Sequence, residues 1–461
     1  MIPRRGTFRD PQGRLFQEQD SGRILREIRP PHEQAVTAWL QSSLAQDWMN
    51  QRLMVPTQIL PTEAGKHLHL EHERIFFPSY PWEWTPGQWR AAASLTLDLL
   101  EEALKQDLIL KDATPLNVLY SGSKPIFVDV LSFGAREIES PLWLAHAQFI
   151  RMFLLPLVAN THLGWPLAAT LQRRDGYEPA DLAPWLGPLQ RWRGPFRSLV
   201  TIPHMLERRF VKKNTNVQAF KRTTSKEVSA SILRSTVRSL RKQLASLAPS
   251  TKASRWSDYT QTATHYASSD QTTKQDFVRE MLERIRPVNV LDVGANTGVY
   301  SRIAASCGSN VVAWDSDIVA TELNWQQAYR ENARILPLVA DFARPTPAAG
   351  WLNRECASLL ARARKRFDCV LMLGVLHHLL VADQIPLEEI LGMLGEITTL
   401  YALVEWVPKT DSQFVGLSRG REALYEHLDE EFFKKEISRR FVVRGQNSLQ
   451  NGRTLWLLEK N

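Results

Sequence analysis

The sequence predicts two domains: an α+β domain over residues 1–200 and an α/β domain over residues 254–461, joined by a basic helical segment over residues 201–253. Three observations carry this reading. From residue 254 onward, short apolar runs alternate with stretches of helical periodicity, the pattern of βαβ units. Within that part, residues 290–301 read as an apolar strand, a glycine-bearing turn and the start of a helix. Two further strands end on acids, Asp315 and Asp341, at the sheet edge where open α/β folds take their ligands.

A chain of 461 residues, 44% of them hydrophobic, can fill more than one core. The first twenty residues are charged and lack the apolar stretch of a secretory signal, and no later run is long and apolar enough for a membrane helix. A soluble, cytoplasmic chain without a membrane span is expected. Cys307, Cys356 and Cys369 form no Cys-x-x-Cys pair, so they read as small buried hydrophobes, and neither a disulfide framework nor a metal site is expected. The net charge of +8 has much of its excess between Arg191 and Lys242, for example at Arg208, Arg209, Lys212, Lys213, Arg234, Arg238 and Arg241. Two readings stand: a surface for RNA or another polyanion, or a solvated helical linker.

In the first domain, residues 14–16 and 23–28 read as short strands around the turn Asp20-Ser21-Gly22. Residues 31–44 and 88–107 read as amphipathic helices; in the second, Ala91, Leu95, Leu99, Leu100 and Leu104 recur at helical intervals. Residues 79–84 form an aromatic-rich loop. The apolar runs 117–120 and 125–129, separated by Ser121-Gly122-Ser123-Lys124, predict a hairpin. Helices rich in Leu, Phe and Trp, interrupted by prolines, then extend to residue 200.

The second domain begins with a helix over residues 272–284. Gly294 and Gly298 let the following turn bend tightly and approach a ligand, and Asn296 between them tolerates left-handed backbone better than most residues. The second strand, 310–314, leads into Asp315 about 20 residues beyond the turn, the spacing at which an acid meets ribose hydroxyls. The third strand, 335–340, ends in Asp341-Phe342, a carboxylate beside an aromatic ring. The fourth, 367–373, ends at Leu373 and runs into Gly374-Val375-Leu376-His377-His378. A helix over 386–399, a fifth strand over 400–406 and a terminal pair at 441–443 and 454–458 complete the domain.

These residues resemble the Rossmann-like class I S-adenosylmethionine-dependent methyltransferases, which implies a seven-stranded domain and S-adenosyl-L-methionine as cofactor. On that resemblance Gly294, Asn296 and Gly298 line the methionine side, Asp315 holds the ribose, and Asp341 meets the adenine, with Phe342 and Leu373 beside it. Asp292 supports the loop and the cofactor amino group. A nicotinamide enzyme would instead carry Gly-x-Gly-x-x-Gly, whereas the order here is Asp-x-Gly-x-x-x-Gly.

Methyl transfer needs positioning and, for some acceptors, removal of a proton. His377 and His378 are candidate bases, with strand capping as the bland alternative. Glu405 and Asp411, around the end of the fifth strand, are the other candidate acids for proton removal or substrate binding, against a reading as a solvated loop. Trp256, Tyr259 and Tyr266 precede the first helix and are candidates for a lid, or for packing alone. No Asn-Pro-Pro-Tyr or Asp-Pro-Pro-Tyr run follows the fourth strand, as methylation of exocyclic base nitrogens would lead one to expect.

In the first domain, residues 110–119 followed by 125–129 resemble the catalytic loop and metal-binding strand of kinase-like phosphotransferases. The resemblance gives Asp112 the acceptor-orienting role, and Asn117 and Asp129 the magnesium. Lys111 stands where His-Arg or His-Gly is usual, and no glycine-rich phosphate loop or strand-three lysine is found, so a degenerate, non-catalytic domain is expected, with nucleotide binding and chance similarity as the alternatives. The chain also resembles a family of two-domain bacterial methyltransferase-like proteins with nodulation-associated members, on residues 110–133 and 374–386. The expected function is methyl transfer to an O or N atom of a small-molecule or glycan-like acceptor. The alternatives are an RNA methyltransferase using the basic segment, or a non-catalytic cofactor-binding module.

Overall fold

The computed structural model describes residues 2–3, 10–18, 21–61, 67–213, 225–247 and 268–461. The chain divides into two compact units: Met1–Tyr120 with Pro125–Ser250, and Ser121–Lys124 with Thr251–Asn461.

Strands β1 (Ile2–Pro3), β2 (Gly13–Gln17), β3 (Ile24–Ile28), β4 (Thr57–Ile59) and β5 (His69–His72) of the first unit form a sheet in the order β1-β2-β3-β5-β4. The helix expected over 31–44 is two helices, α1 (Glu33–Gln41) and α2 (Ser43–Asn50). The break is at Ser42, whose extended backbone and hydroxyl cap the second helix through the Ala45 amide at 3.2 Å. Helix α3 (Pro86–Lys105) starts with a capping box: Gln88 N donates to Thr85 Oγ1 at 3.3 Å, and Thr85 N donates to Gln88 Oε1 at 2.9 Å. Strands β6 (Leu108–Leu110), β7 (Val118–Ser121), β8 (Lys124–Phe127) and β9 (Phe133–Ala135) follow, with β7 and β8 paired in the expected hairpin. Trp39, Trp48, Phe127 and Phe133 pack edge to face or tilted, their ring centroids 5.0 to 5.5 Å apart.

Beyond helix α4 (Leu155–Leu163) the chain reaches α5 (Ile202–Lys213) and α6 (Lys226–Ala245). The segment read as a linker therefore includes a packed helix. Leu233, Val237, Leu240 and Leu244 of α6 are buried on one stripe, and Arg241 reaches Asp98 at 2.6 Å and Glu101 at 2.8 Å on α3. Lys226 meets Asp107 at 2.6 Å. Part of the positive charge credited to a polyanion surface thus answers acids within the same unit, so this stretch gives the RNA reading no support.

Helix α7 (Ser268–Ile285) leads into the sheet of the second unit, whose order is β12-β11-β10-β13-β14-β16-β15. Its strands are β10 (Asn289–Val293), β11 (Asn310–Asp315), β12 (Ile335–Val339), β13 (Phe367–Met372), β14 (Thr398–Trp406), β15 (Phe441–Ser448) and β16 (Thr454–Lys460). β10 to β14 run parallel, while β16 pairs antiparallel with both β14 and β15. Helices α8 (Val299–Ser306), α9 (Ile318–Glu331), α10 (Leu376–Val381), α11 (Leu387–Ile397), α12 (Ser412–Ser418) and α13 (Glu430–Ser438) complete the unit. Because the chain winds outward from β10 toward β11 and then from β13 toward β14, the strand order reverses between β10 and β13. The loops there part and leave a crevice at the carboxyl ends.

Among the described residues no helix is long and apolar enough to cross a membrane. No cluster of three or more His, Cys, Asp or Glu side chains suited to a metal is found among them. Cys356 and Cys369 are buried, Cys307 is half-buried, and all three are free thiols.

Candidate active site

The crevice between β10 and β13 holds a cavity of about 440 Å³, inside the range of roughly 300–1,000 Å³ usual for small-molecule sites. Its floor is the bend after β10. The amides of Gly294 and Ala295 donate to the Trp314 carbonyl at 2.8 and 3.1 Å, which ties the bend to β11. Gly294, Asn296 and Gly298 all have left-handed backbone, with φ of 68°, 50° and 83°. A Cβ on Gly294 would stand 2.1 Å from Val375 Cγ2, and one on Gly298 would stand 2.1 Å from Asn324 Oδ1, so packing as well as dihedral angle selects glycine at both. The Asn296 side chain accepts from the Thr297 amide at 2.7 Å, a local bond that steadies its conformation.

Asp315 closes the adjoining wall. One carboxylate oxygen accepts from the Asn296 amide at 2.7 Å and the other from the Asp317 amide at 2.8 Å. Burial pushes its pKa up, yet these amides favour the ionised form. Each oxygen keeps capacity for a second donor on the cavity side. Asp317 caps α9 through Val319 N and Ala320 N at 2.8 and 3.0 Å. Beyond β12, Asp341 accepts from Ala343 N at 2.8 Å and pairs with Arg344 at 3.0 Å; Arg344 in turn reaches Asp383 at 2.9 Å. Phe342, Leu373 and Leu379 add apolar wall.

The cavity thus unites Gly294, Asn296, Asp315, Asp341, Phe342, Leu373 and His378 on its lining. Gly298 shapes the bend from outside that lining. Other candidates stand behind the wall. Asp292 is buried and accepts the Ser301 hydroxyl at 2.6 Å, and burial pushes its pKa up to about 7. His377 is also buried: its ring lies 4.2 Å from that of His378, and neither nitrogen has a hydrogen-bond partner among the described residues. Burial, with His378, Arg453 and Lys274 nearby, holds its pKa well below the usual histidine value, so it stays neutral.

Glu405 and Asp411 are not on a solvated loop. Glu405 is fully buried, bound by Lys274 Nζ at 2.6 Å and approached by Arg453 Nη1 at 3.5 Å. Arg453 also donates to both oxygens of Asp411, at 2.8 and 3.1 Å. Glu405 is therefore the counter-ion of two cations, an arrangement that fixes geometry more than it supplies a base. Tyr259 and Tyr266, together with Trp256, lie outside the described residues.

Gln271, Lys274, Tyr300, Asp317 and Arg453 line the cavity without having been singled out in the sequence. Lys274 left a signal: it shares the buried stripe of α7 with Phe277, Val278, Met281 and Leu282, a cation in register with core residues. Arg453, just after the turn Asn451-Gly452, left none.

In the first unit, Asp112, Asn117 and Asp129 do converge. Asn117 Nδ2 donates to Asp112 Oδ2 at 3.3 Å and to Ser132 Oγ at 3.2 Å, and Ser132 Oγ donates to Asp129 Oδ2 at 2.5 Å. Arg26 of β3 pairs with Asp129 at 2.8 Å. Burial alone would raise the Asp129 pKa, but Arg26 and the hydrogen bonds to this carboxylate hold it below the ordinary value. A guanidinium thus sits on the carboxylate that the kinase-like resemblance gives to magnesium.

No family model matches the chain. Nodulation protein NoeA of Rhizobium meliloti (strain 1021) is 27% identical over 478 residues, spanning 99% of this chain and 96% of that protein. Among solved structures, magnesium protoporphyrin IX methyltransferase from Synechocystis PCC 6803 with bound SAH is 16% identical, covering 42% of this chain and 84% of its own at a TM-score of 0.31. N-methyltransferase NodS from Bradyrhizobium japonicum WM9 is 11% identical, covering 42% and 97% at a TM-score of 0.31. The bifunctional kinase-methyltransferase WbdD is 18% identical, covering 42% and 40% at a TM-score of 0.32.

Proposed function

We propose that the second unit binds S-adenosyl-L-methionine and transfers its methyl group to an O or N atom of a small-molecule or glycan-like acceptor. One observation carries the reading: the half-buried Asp315 carboxylate, fixed by two backbone amides, borders a cavity whose floor is the Gly294–Gly298 bend. The donor set suits an amino-acid nucleoside. Asp315 receives the ribose hydroxyls, Asp341 and Phe342 flank the base, and Lys274 and Arg453, already paired with Glu405 and Asp411, hold the lining beside the bend. Bound there, the cofactor supplies a methyl group on a positively charged sulfur that needs no acid to leave.

The chain's own contribution is then position and exclusion of water. Leu373, Val375 and Leu379 give the apolar wall, and His378, which lines the cavity, takes the proton from an acceptor that must lose one. His377 holds α10 in the core behind it.

Calorimetry with S-adenosylhomocysteine and with NAD tests the pocket. The expected result is a dissociation constant in the micromolar range, on the order of 1–100 µM, for the first and none for the second; the reverse would overturn the reading. Tritiated methyl incorporation into amino-sugar oligosaccharides and small hydroxylated acceptors then tests transfer.

Asp292 makes a separate prediction about stability. A folded-state pKa of about 7 lies above the ordinary 3.8, so the folded state holds this proton more tightly than the unfolded chain. Its contribution is complete below the unfolded pKa and is lost as pH rises through about 7. Asp292→Asn keeps an acceptor for Ser301 and cannot ionise. From about pH 5 to pH 8 the thermal midpoint of the wild type should fall further than that of the variant; parallel curves would refute the assignment.

A further inference from the structure

The first unit carries a surface that cofactor binding does not use. Between α4 and α5, Leu186, Phe196, Leu199 and Val200 turn inward and are buried, so this segment has its own core. Yet large apolar side chains also point outward: Leu189 is 75% exposed and Trp192 56%. On α5 the exposed residues Ile202, Met205, Leu206 and Arg209 recur at i, i+3, i+4 and i+7, which puts three apolar side chains and a cation on one helical face. Thr201 Oγ1 donates to the Arg191 carbonyl at 2.7 Å, and this bond fastens the Trp192 turn to the start of α5.

The charges around this face are predominantly positive. Arg191, Arg193, Arg197, Arg208 and Arg209 are all exposed, against one acid, Glu207, in the same stretch. Apolar and aromatic side chains interleaved with arginines suit the boundary of a bilayer. Rings and aliphatic chains enter the acyl edge, while guanidinium groups stay with the headgroup phosphates. A nucleic acid would reward the cations and a stacking ring, but would leave Ile202, Met205 and Leu206 in water. A second protein copy would bring the same cations against themselves. The geometry points to a peripheral docking surface for an anionic lipid bilayer, formed by Leu189, Trp192 and the Ile202–Met205–Leu206 face.

The test uses the full chain with sedimented vesicles of phosphatidylcholine alone or mixed with about one-third phosphatidylglycerol. Expected is at least about tenfold more protein with the anionic vesicles, falling as salt is raised. Leu189→Glu with Trp192→Glu, and separately Met205→Glu with Leu206→Glu, should each lower that binding about tenfold. Both variants change exposed residues, so their thermal midpoint and their affinity for S-adenosylhomocysteine should match the wild type. Equal binding to both vesicles, wild-type binding by both variants, capture of single-stranded RNA with no vesicle binding, or a concentration-dependent dimer abolished by the same substitutions would each overturn the assignment. So would a fall in the variants' thermal midpoint without vesicle binding by the wild type, which would mean that the chain covers this face itself.

Discussion

Asp315→Ala is expected to weaken binding of S-adenosylhomocysteine by at least about a hundredfold, since two hydrogen bonds to a charged group are worth about 1.5–3 kcal/mol each. The side chain acts twice. It offers the cavity two acceptor oxygens, and it organises the floor by accepting from the Asn296 and Asp317 amides at 2.7 and 2.8 Å. Alanine removes both functions and leaves those amides short of an acceptor. Asp315→Asn keeps one acceptor oxygen and the side-chain volume, so it should fall between alanine and wild type. Calorimetry reads the affinities, and thermal unfolding reports whether the fold survives. A loss below about threefold in a folded alanine variant would remove the ribose contact from the proposal.

The second large effect falls on Gly298. Valine there meets two penalties that add. Its backbone at φ 83° is left-handed, which costs a β-branched residue about 1–2 kcal/mol or more. Its Cβ would also stand 2.1 Å from Asn324 Oδ1, and Asn324 is 1% exposed, so its side chain would have to shift within the core. With overpacking at about 1–3 kcal/mol, the thermal midpoint should drop by about 10 °C, and cofactor binding should be lost with the bend. Gly308→Ala separates the two causes: φ there is also positive, at 100°, but a Cβ meets nothing within 4 Å. Its drop should be a fraction of the Gly298→Val value. Equal drops would mean that the Asn324 contact does not matter.

The parts of the site that could be read from the sequence are those built by neighbours in the chain. The glycine bend, the acid closing β11 and the Asp341-Phe342 pair each follow from a strand running directly into a turn. What such a stretch does is decided within a few residues, whatever surrounds it. The hairpin at β7 and β8 was legible for the same reason, through its turn residues. Strands β4 and β5 were not: each is short, and only pairing, of β5 with β3 and of β4 with β5, completes them.

The sequence by itself determined the alternation of strands and helices in the second unit, the order of its ligand-edge residues and the left-handed positions at Gly294, Asn296 and Gly298. Periodicity and spacing are local properties, carried by the backbone rules that every residue obeys. Only the tertiary structure decided which ionisable groups face the cavity. It set His378 on the lining and turned its neighbour His377 into the core, because successive helical residues point about 100° apart. It drew Lys274, Glu405, Asp411 and Arg453 from separate elements into one buried network. Charge pairing of that kind depends on distance in space, which strand order and helix packing set and which separation along the chain does not reveal.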